Sequence, residues 1–299
     1  MKQNGLQNVL HRKDRLLRQV GKQWLWGHAV LVLGFLYLPI LILILYSFNA
    51  SRFDANWAGF TWEWYGNLFG TETPAVTSAD LDSAEVWQAL KNSLIVAVAS
   101  TILATILGTA VALALERFRF PGRQVLASVL FLPIIIPEIA LGISLLVFFS
   151  LLFQLAENLT GIRLALGLPT VIISHTTFNL AFVTVTVRAR LAEVDPRLEE
   201  AALDLGANEW RTFSRITLPL IWPGILSGAL LGFTVSLDDF VIAFFTSGVG
   251  STTLPLFIYG MIKLSVSPVI NALSTLMLLA SLLLVVSSLT IERSLKSFE

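Results

Sequence analysis

Two adjacent carboxylates sit in an otherwise apolar run, Thr234-Val235-Ser236-Leu237-Asp238-Asp239-Phe240, and a third, Glu138, follows Pro137 in another. A charge at the centre of a membrane-spanning helix costs roughly 2.5–3.5 kcal/mol on insertion scales, so acids placed there are functional candidates by default. Neighbouring carboxylates repel, which raises at least one proton affinity unless a cation neutralises them. A multiply charged amine would do so. On a regular helix Ser236 and Asp239 share a face, while Asp238 points about 100° away. That spacing predicts Asp239 with Ser236 as the pair facing a pathway, joined by Asp238 where the helix is locally unwound. The competing expectation is that one aspartate caps a helix break or bonds to a neighbouring span.

Pro133 and Pro137 each remove a backbone donor and free the carbonyl one turn back, at Val129 and Pro133. A kinked segment carrying Glu138 and loose carbonyl dipoles suits an organic cation; the plainer expectation is a kink at a helix end with Glu138 at the water interface. His175, in Ser174-His175-Thr176-Thr177-Phe178, stands alone among hydroxyls and reads as a hydrogen-bonded packing residue. With no second histidine beside it, no metal site is expected, and with no cysteine in the chain there is no disulfide or thiolate chemistry. No cofactor is expected.

The elements that must hold these residues are membrane spans. The 299-residue chain is 55% hydrophobic and only 13% charged, against about 25% charged in a soluble domain. Six stretches are long and apolar enough for a bilayer, which needs about 20 residues: Gly27 to Phe48, Ser93 to Leu115, Val125 to Phe153, Leu168 to Val187, Pro219 to Phe245 and Pro268 to Ile291. The first is too long for a signal-peptide core and lacks a small-x-small cleavage site, so it reads as a retained span. Sixteen of the twenty Lys and Arg fall before the first span, in Arg117/Arg119/Arg123, between Arg188 and Arg215, and in the tail; only Arg52, Lys91, Arg163 and Lys263 fall on the other side. This bias puts both termini and the 188–218 loop in the cytoplasm. The expected division is a cytoplasmic segment 1–26, a six-span domain 27–291 and a cytoplasmic tail 292–299. The first of these forms either a basic interfacial helix or a frayed tail. Net charge is zero and the basic residues are spread over membrane-flanking loops, so no nucleic-acid partner is expected.

The 188–218 loop has its own pattern. Asp195 can cap a short helix that Pro196 opens, with Glu199 and Glu200 in its positive first turn and Gly206 at its end. Leu198, Ala201, Ala202 and Leu205 fall on one side at helical spacing, and a second short helix from Asn208 to Ser214 would carry Trp210 and Phe213. Such an element can insert an apolar ridge into a partner's groove. Glu200-Ala201-Ala202, three residues, Gly206, nine residues, and Ile216-Thr217-Leu218-Pro219 together resemble the cytoplasmic loop by which permease subunits of binding-protein-dependent ATP-binding-cassette importers grip their ATPase. The resemblance covers about Asn92 to the C-terminus, with a family-like first span added. It implies an all-α fold, a MetI-like permease core with cytoplasmic coupling helices, and coupling residues Glu200, Ala201, Ala202, Gly206, Ile216, Leu218 and Pro219. It also implies the partners: a dimer of ATP-binding-cassette ATPases, a second permease, an extracytoplasmic binding protein and the lipid bilayer of a bacterial inner membrane.

The segments Ser236-Leu237-Asp238-Asp239, Thr253-Leu254-Pro255-Leu256, and Val266-Ser267-Pro268 with Asn271-Ala272-Leu273 are similar to the spermidine/putrescine subgroup of these permeases, as is Ser51-Arg52-Phe53 through Trp64-Tyr65. That resemblance implies polyamine cargo and a cation path of Trp64, Glu138, Ser236, Asp238 and Asp239. Glu138 departs from the subgroup, where aspartate is familiar; charge is kept but reach grows by a methylene. Trp57, Trp62, Trp64 and Tyr65 otherwise read as an aromatic interface belt. Ferric ion and sulfate are the alternative cargoes, although an anion carrier would not place three acids in its spans. A membrane-embedded enzyme would need a nucleophile–base set or H-E-x-x-H, and the chain has neither. It also lacks G-x-x-x-x-G-K-[ST], so ATP must be hydrolysed by another chain.

Overall fold

The computed structural model describes residues 2–51, 56–70, 83–264 and 268–296, with side chains described from Gly21 to Val286 within those ranges, save for 83, 264 and 284–285. Residues 52–55, with Arg52 and Phe53, residues 71–82, and residues 265–267, with Val266 and Ser267, lie outside the described residues. The described chain is helical, with one isolated β-bridge, Asn49 to Phe60. Five helices are long and apolar enough to cross a bilayer. A sixth apolar helix, α12 (Pro268–Lys296), follows them.

Two compact units are present. The first comprises residues 1–76 and 265–299: α1 (Lys2–Tyr46), α2 (Glu63–Leu68) and α12. The backbone of α1 runs without a break from the basic N-terminal segment into the first span, and Pro39 lies inside it. After α1 the chain turns on Asn49, whose side chain donates to Asn56 O at 2.9 Å and accepts from Ala58 N at 2.9 Å. Phe48 stacks on Phe60 at 5.2 Å between ring centres and meets Trp62 edge-on at 4.8 Å.

The second unit, residues 77–264, holds α3 (Ser83–Arg117), α4 (Arg123–Ile135), α5 (Glu138–Thr160), α6 (Leu168–Glu193), α7 (Arg197–Asp204), α8 (Glu209–Thr212), a π-helical segment (Phe213–Thr217), α9 (Leu218–Asp238), α10 (Val241–Thr246) and α11 (Leu254–Leu264). Its centre is the three-way packing of α3, α6 and α9. Small residues bring these helices together: Gly224, Gly228 and Gly232 recur every four residues along α9 and face Arg190, Val183 and Asn179 of α6 in antiparallel register. Gly108 of α3 faces Val183 and Thr184. In lipid, where apolar side chains gain little by leaving the solvent, such close backbone approach and interhelical hydrogen bonds drive association. Ala104, Ala112, Val183, Val187, Leu191, Val194, Ile221 and Ile225 form the buried cluster beside this contact.

Two of the expected spans are broken. The stretch Val125 to Phe153 is not one helix: α4 ends at Ile135, Ile136 and Pro137 are extended, and α5 starts at Glu138. Proline disfavours helical geometry in the residue before it, so Ile136 takes ψ 137°. By itself α5 is long enough to cross a bilayer, so Glu138 opens a membrane-length helix and does not sit in the middle of one. The stretch Pro219 to Phe245 divides into α9 and α10 at Asp239. Packing of α10 on α5 is set by Gly142, where a Cβ would come within 2.5 Å of Phe245 Cδ2.

Candidate functional site

The break between α9 and α10 separates the neighbouring aspartates. Ser236 and Asp239 share a face, as helical spacing requires, but that face is turned into the unit, and Asp238 is the exposed one. Asp239 is extended (φ −68°, ψ 126°) and caps α10: Ile242 N donates to Oδ1 at 3.3 Å and Ala243 N to Oδ2 at 2.9 Å. A carboxylate at that end also meets the positive pole of the helix. Asp238 has the opposite placement. It is the last residue of α9, at the negative pole, where the carbonyls of the final turn have no intrahelical donor. One acid accepts two amide donors of α10; the other is exposed beside those carbonyls.

Behind Asp239 stands His175 of α6. Its Nε2 is 3.2 Å from Asp239 Oδ2, an ion-pair distance without hydrogen-bond alignment, and the two side chains are only 2% and 5% exposed. The ring's Nδ1 is 2.7 Å from Ser236 Oγ, Ser236 Oγ is 3.1 Å from Ser100 Oγ on α3, and Asn179 Nδ2 donates to Ser100 Oγ at 3.5 Å. A buried polar chain thus joins α3, α6, α9 and the start of α10. His175 is the hydrogen-bonded packing residue that its surroundings suggested, and it is also the partner of a candidate site acid. The sequence carried a usable signal for this: Gly224, Gly228, Gly232 and Ser236 continue one four-residue stripe on α9. A stripe of small residues marks the face that another helix approaches, so Ser236 on it had to point at a neighbour.

Glu138 is exposed in the first turn of α5, with Ala140 N and Leu141 N both donating to Pro137 O. The carbonyl at Pro133 that proline chemistry would free lies just before this break. Trp64, in the other unit, is 3% exposed, and its indole Nε1 donates to Asn49 O at 2.6 Å. Its neighbours Trp57 and Trp62 are exposed, as are Phe60 and Phe69.

The loop from Arg188 to Leu218 folds as its residues dictate. Asp195 Oδ1 accepts from Arg197 N at 3.0 Å, α7 carries Glu199 and Glu200 in its first turn, and Gly206 takes φ 86° at its end. Ala207 N returns to Ala202 O at 3.0 Å, the six-to-one closure of a Schellman ending. Leu198, Ala201 and Leu205 are exposed, with Leu205 at 89%, whereas Ala202 is buried. The outward ridge therefore omits Ala202, which faces inward. Asn208 caps α8 by accepting from Arg211 N at 2.8 Å, and Trp210 beyond it is 72% exposed. The second short helix does not stop at Ser214. It widens into the π-helical segment and runs on into α9, next to Pro219, which gives no N–H to the carbonyl of Arg215. Ile216 and Leu218 are half-buried, Leu218 against the α6–α9 cluster, while Glu200, Gly206 and Pro219 are exposed.

The fold superposes on a chain from the crystal structure of a bacterial ABC transporter involved in the import of the acidic polysaccharide alginate, with TM-score 0.71, 18% identity, and coverage of 93% of this chain and 98% of that one. By sequence the chain is 42% identical over 274 residues to the spermidine/putrescine transport system permease protein PotC of Escherichia coli (strain K12), covering 92% of this chain and 96% of the relative. It is also 42% identical over 256 residues to the putrescine transport system permease protein PotI of the same strain, covering 85% of each. Residues 104–297 match the family described as binding-protein-dependent transport system inner membrane component. With this match and these identities together, the chain belongs to the inner membrane components of binding-protein-dependent transport systems.

Proposed function

We propose that the chain is a permease subunit of an ATP-driven importer that moves polyamine cations, spermidine or putrescine, into the cytoplasm. The observation that carries the proposal is the α9–α10 break, where Asp238 is exposed at the carbonyl end of α9. A cation is favoured there by the carboxylate and by the helix pole together. Glu138, exposed at the start of α5, is the second acid in reach of solvent, and two acids on separate helices suit a cargo with separated charges. Ser236 and Asp239 serve this path from behind the break. Trp64, in the other unit, is buried with its indole donating to Asn49 O, so it offers no open ring face to a cation. The names of the relatives favour polyamines over the ferric-ion or sulfate alternatives.

The partners follow from the same reading: a second permease, two ATPase copies, and an extracytoplasmic polyamine-binding protein that delivers the amine. The exposed ridge of Leu198, Ala201, Leu205 and Trp210 is the surface offered to the ATPase. Both termini and the 188–218 loop are assigned to the cytoplasm on the distribution of basic residues. Closure of the ATPases on ATP pushes the loops together and rocks the permeases outward-facing; hydrolysis resets them.

The test is uptake of labelled spermidine and putrescine into vesicles carrying the full complex. Asp238→Asn and Glu138→Gln are expected to lower uptake about tenfold at limiting amine, equivalent to roughly 1.4 kcal/mol of lost cation interaction. A complex that hydrolyses ATP with its binding protein yet takes up neither amine would refute the assignment.

A further inference from the structure

The two aspartates of the α9–α10 break differ in one partner. Asp239 has a side chain from another helix within ion-pair distance, His175, and Asp238 has none among the described residues. We infer that His175 is a positioning residue for transport: through Nε2 it holds the Asp239 carboxylate on the inner side of the break and so leaves Asp238 as the acid presented to solute. This rests on the polyamine-import reading only for one of its two readouts.

A carboxylate with a side chain 5% exposed needs compensation, and the two amide donors of α10 supply only part of it. The ring atom facing the carboxylate is Nε2, 3.2 Å from Oδ2, and it has no hydrogen-bond partner among the described residues. Ring orientation is fixed from the other end, where Nδ1 contacts Ser236 and, through it, Ser100. Close approach of α6 at Gly232, whose missing Cβ would lie 3.6 Å from Asn179 Cβ, brings His175 opposite Ser236 one turn further along. The imidazole is therefore clamped between Ser236, on the last turn of α9, and Asp239, which caps α10. Without it, a buried carboxylate keeps only its two amide donors next to a second carboxylate, and a turn of the break by one residue, about 100°, exchanges which acid faces out. His175 touches no solute, and its effect on transport passes through the orientation of Asp238.

Substitutions at His175 separate its two contacts, because the amide nitrogen of glutamine reaches the place of Nε2 and that of asparagine the place of Nδ1. In vesicles carrying the complete complex, His175→Gln is expected to keep the KM for spermidine within about threefold of the parent, while His175→Asn and His175→Leu raise it about tenfold. The second readout is the thermal-unfolding midpoint of the purified complex, which is independent of cargo. His175→Leu should lower it, and adding Asp239→Asn should recover about half or more of the loss, because neutralising the acid removes the need for the histidine. Equal behaviour of the Gln and Asn variants, or additive losses in the double variant, would overturn the inference. A parent complex without polyamine uptake, but with midpoints that are coupled in this way, would refute the cargo assignment and leave the His175–Asp239 coupling standing.

Discussion

Arg117, the last residue of α3, donates through Nη2 to Glu199 Oε1 at 2.8 Å, and Thr217 Oγ1 donates to the same oxygen at 2.7 Å. One carboxylate in the first turn of α7 thus binds the C-terminal end of α3 and the π-helical segment that leads into α9. Arg188 adds a second tie from α6 to α3 through Glu116 at 2.7 Å. These partly buried pairs tie the loop to the helices behind it, to α3 through Arg117 and to the segment leading into α9 through Thr217.

Glu199 and Glu200 are neighbours with separable roles. Glu199→Ala is expected to destabilise the chain by about 1–3 kcal/mol, since it leaves the Arg117 guanidinium and the Thr217 hydroxyl short of an acceptor. Glu200→Arg, at an exposed position, should change stability by less than about 1 kcal/mol and instead reduce recovery of the ATPase. Thermal midpoints of the purified permease pair, alongside co-purification of the ATPase, distinguish the two. A shared phenotype would show that the exposure difference has no functional meaning.

Gly206 closes α7 in the left-handed region at φ 86°. A side chain there costs about 1–2 kcal/mol, so Gly206→Val should shift the end of the ridge, displace Leu205, and cut ATPase recovery several-fold while membrane insertion is retained. Recovery equal to that of the parent would mean that the α7 ending does not shape the docking surface.

Along the α9 stripe the cost of a methyl group should follow the space behind it. A Cβ at Gly224 would come within 2.6 Å of Arg190 Cβ, whereas one at Gly232 would meet Asn179 at an ordinary 3.6 Å. Gly224→Ala is expected to lose about 1–3 kcal/mol through overpacking, and Gly232→Ala to lie within about 0.5 kcal/mol of the parent. Chemical or thermal unfolding in detergent reads this ordering, and a reversed order would contradict the antiparallel register of α6 on α9.

The chain lacks a phosphate-binding loop, and Gly21-Lys22 has neither the upstream glycine nor the following hydroxyl. Purified chain in nanodiscs should therefore show no ATP turnover, and turnover should appear when its ATPase is added. Hydrolysis by the chain alone would disprove the division of labour.

Much of this molecule was written locally. Hydropathy marked apolar helices because a bilayer admits only segments that satisfy their own backbone, and the ends of α7 were legible because Asp195, Pro196 and Gly206 act on backbone groups within a few residues. The pairing of Ser236 with Asp239 on one face followed from helical period alone. That period could not say which way the face pointed. Direction came from the close packing of α6 on α9, which turned Ser236 and Asp239 inward against His175, sixty-one residues from Ser236, and left Asp238 outside.

The helix breaks show the same division. Pro137 announced an interruption, but the sequence left open whether it was a kink within a span or the start of a new one; the observed ending of α4 and the seating of Phe245 on Gly142 place Glu138 at the head of α5. At Asp239 no proline gives warning; an aspartate capping a break was one expectation, and the same carboxylate meets two amides of α10 and lies 3.2 Å from a histidine of α6. Residue types and spacing determined which groups could hold a cation and which loop could meet a partner, since both are short-range properties of the chain. Which acid is buried and which is presented was decided by tertiary contacts, because burial and pairing depend on neighbours that are distant in sequence.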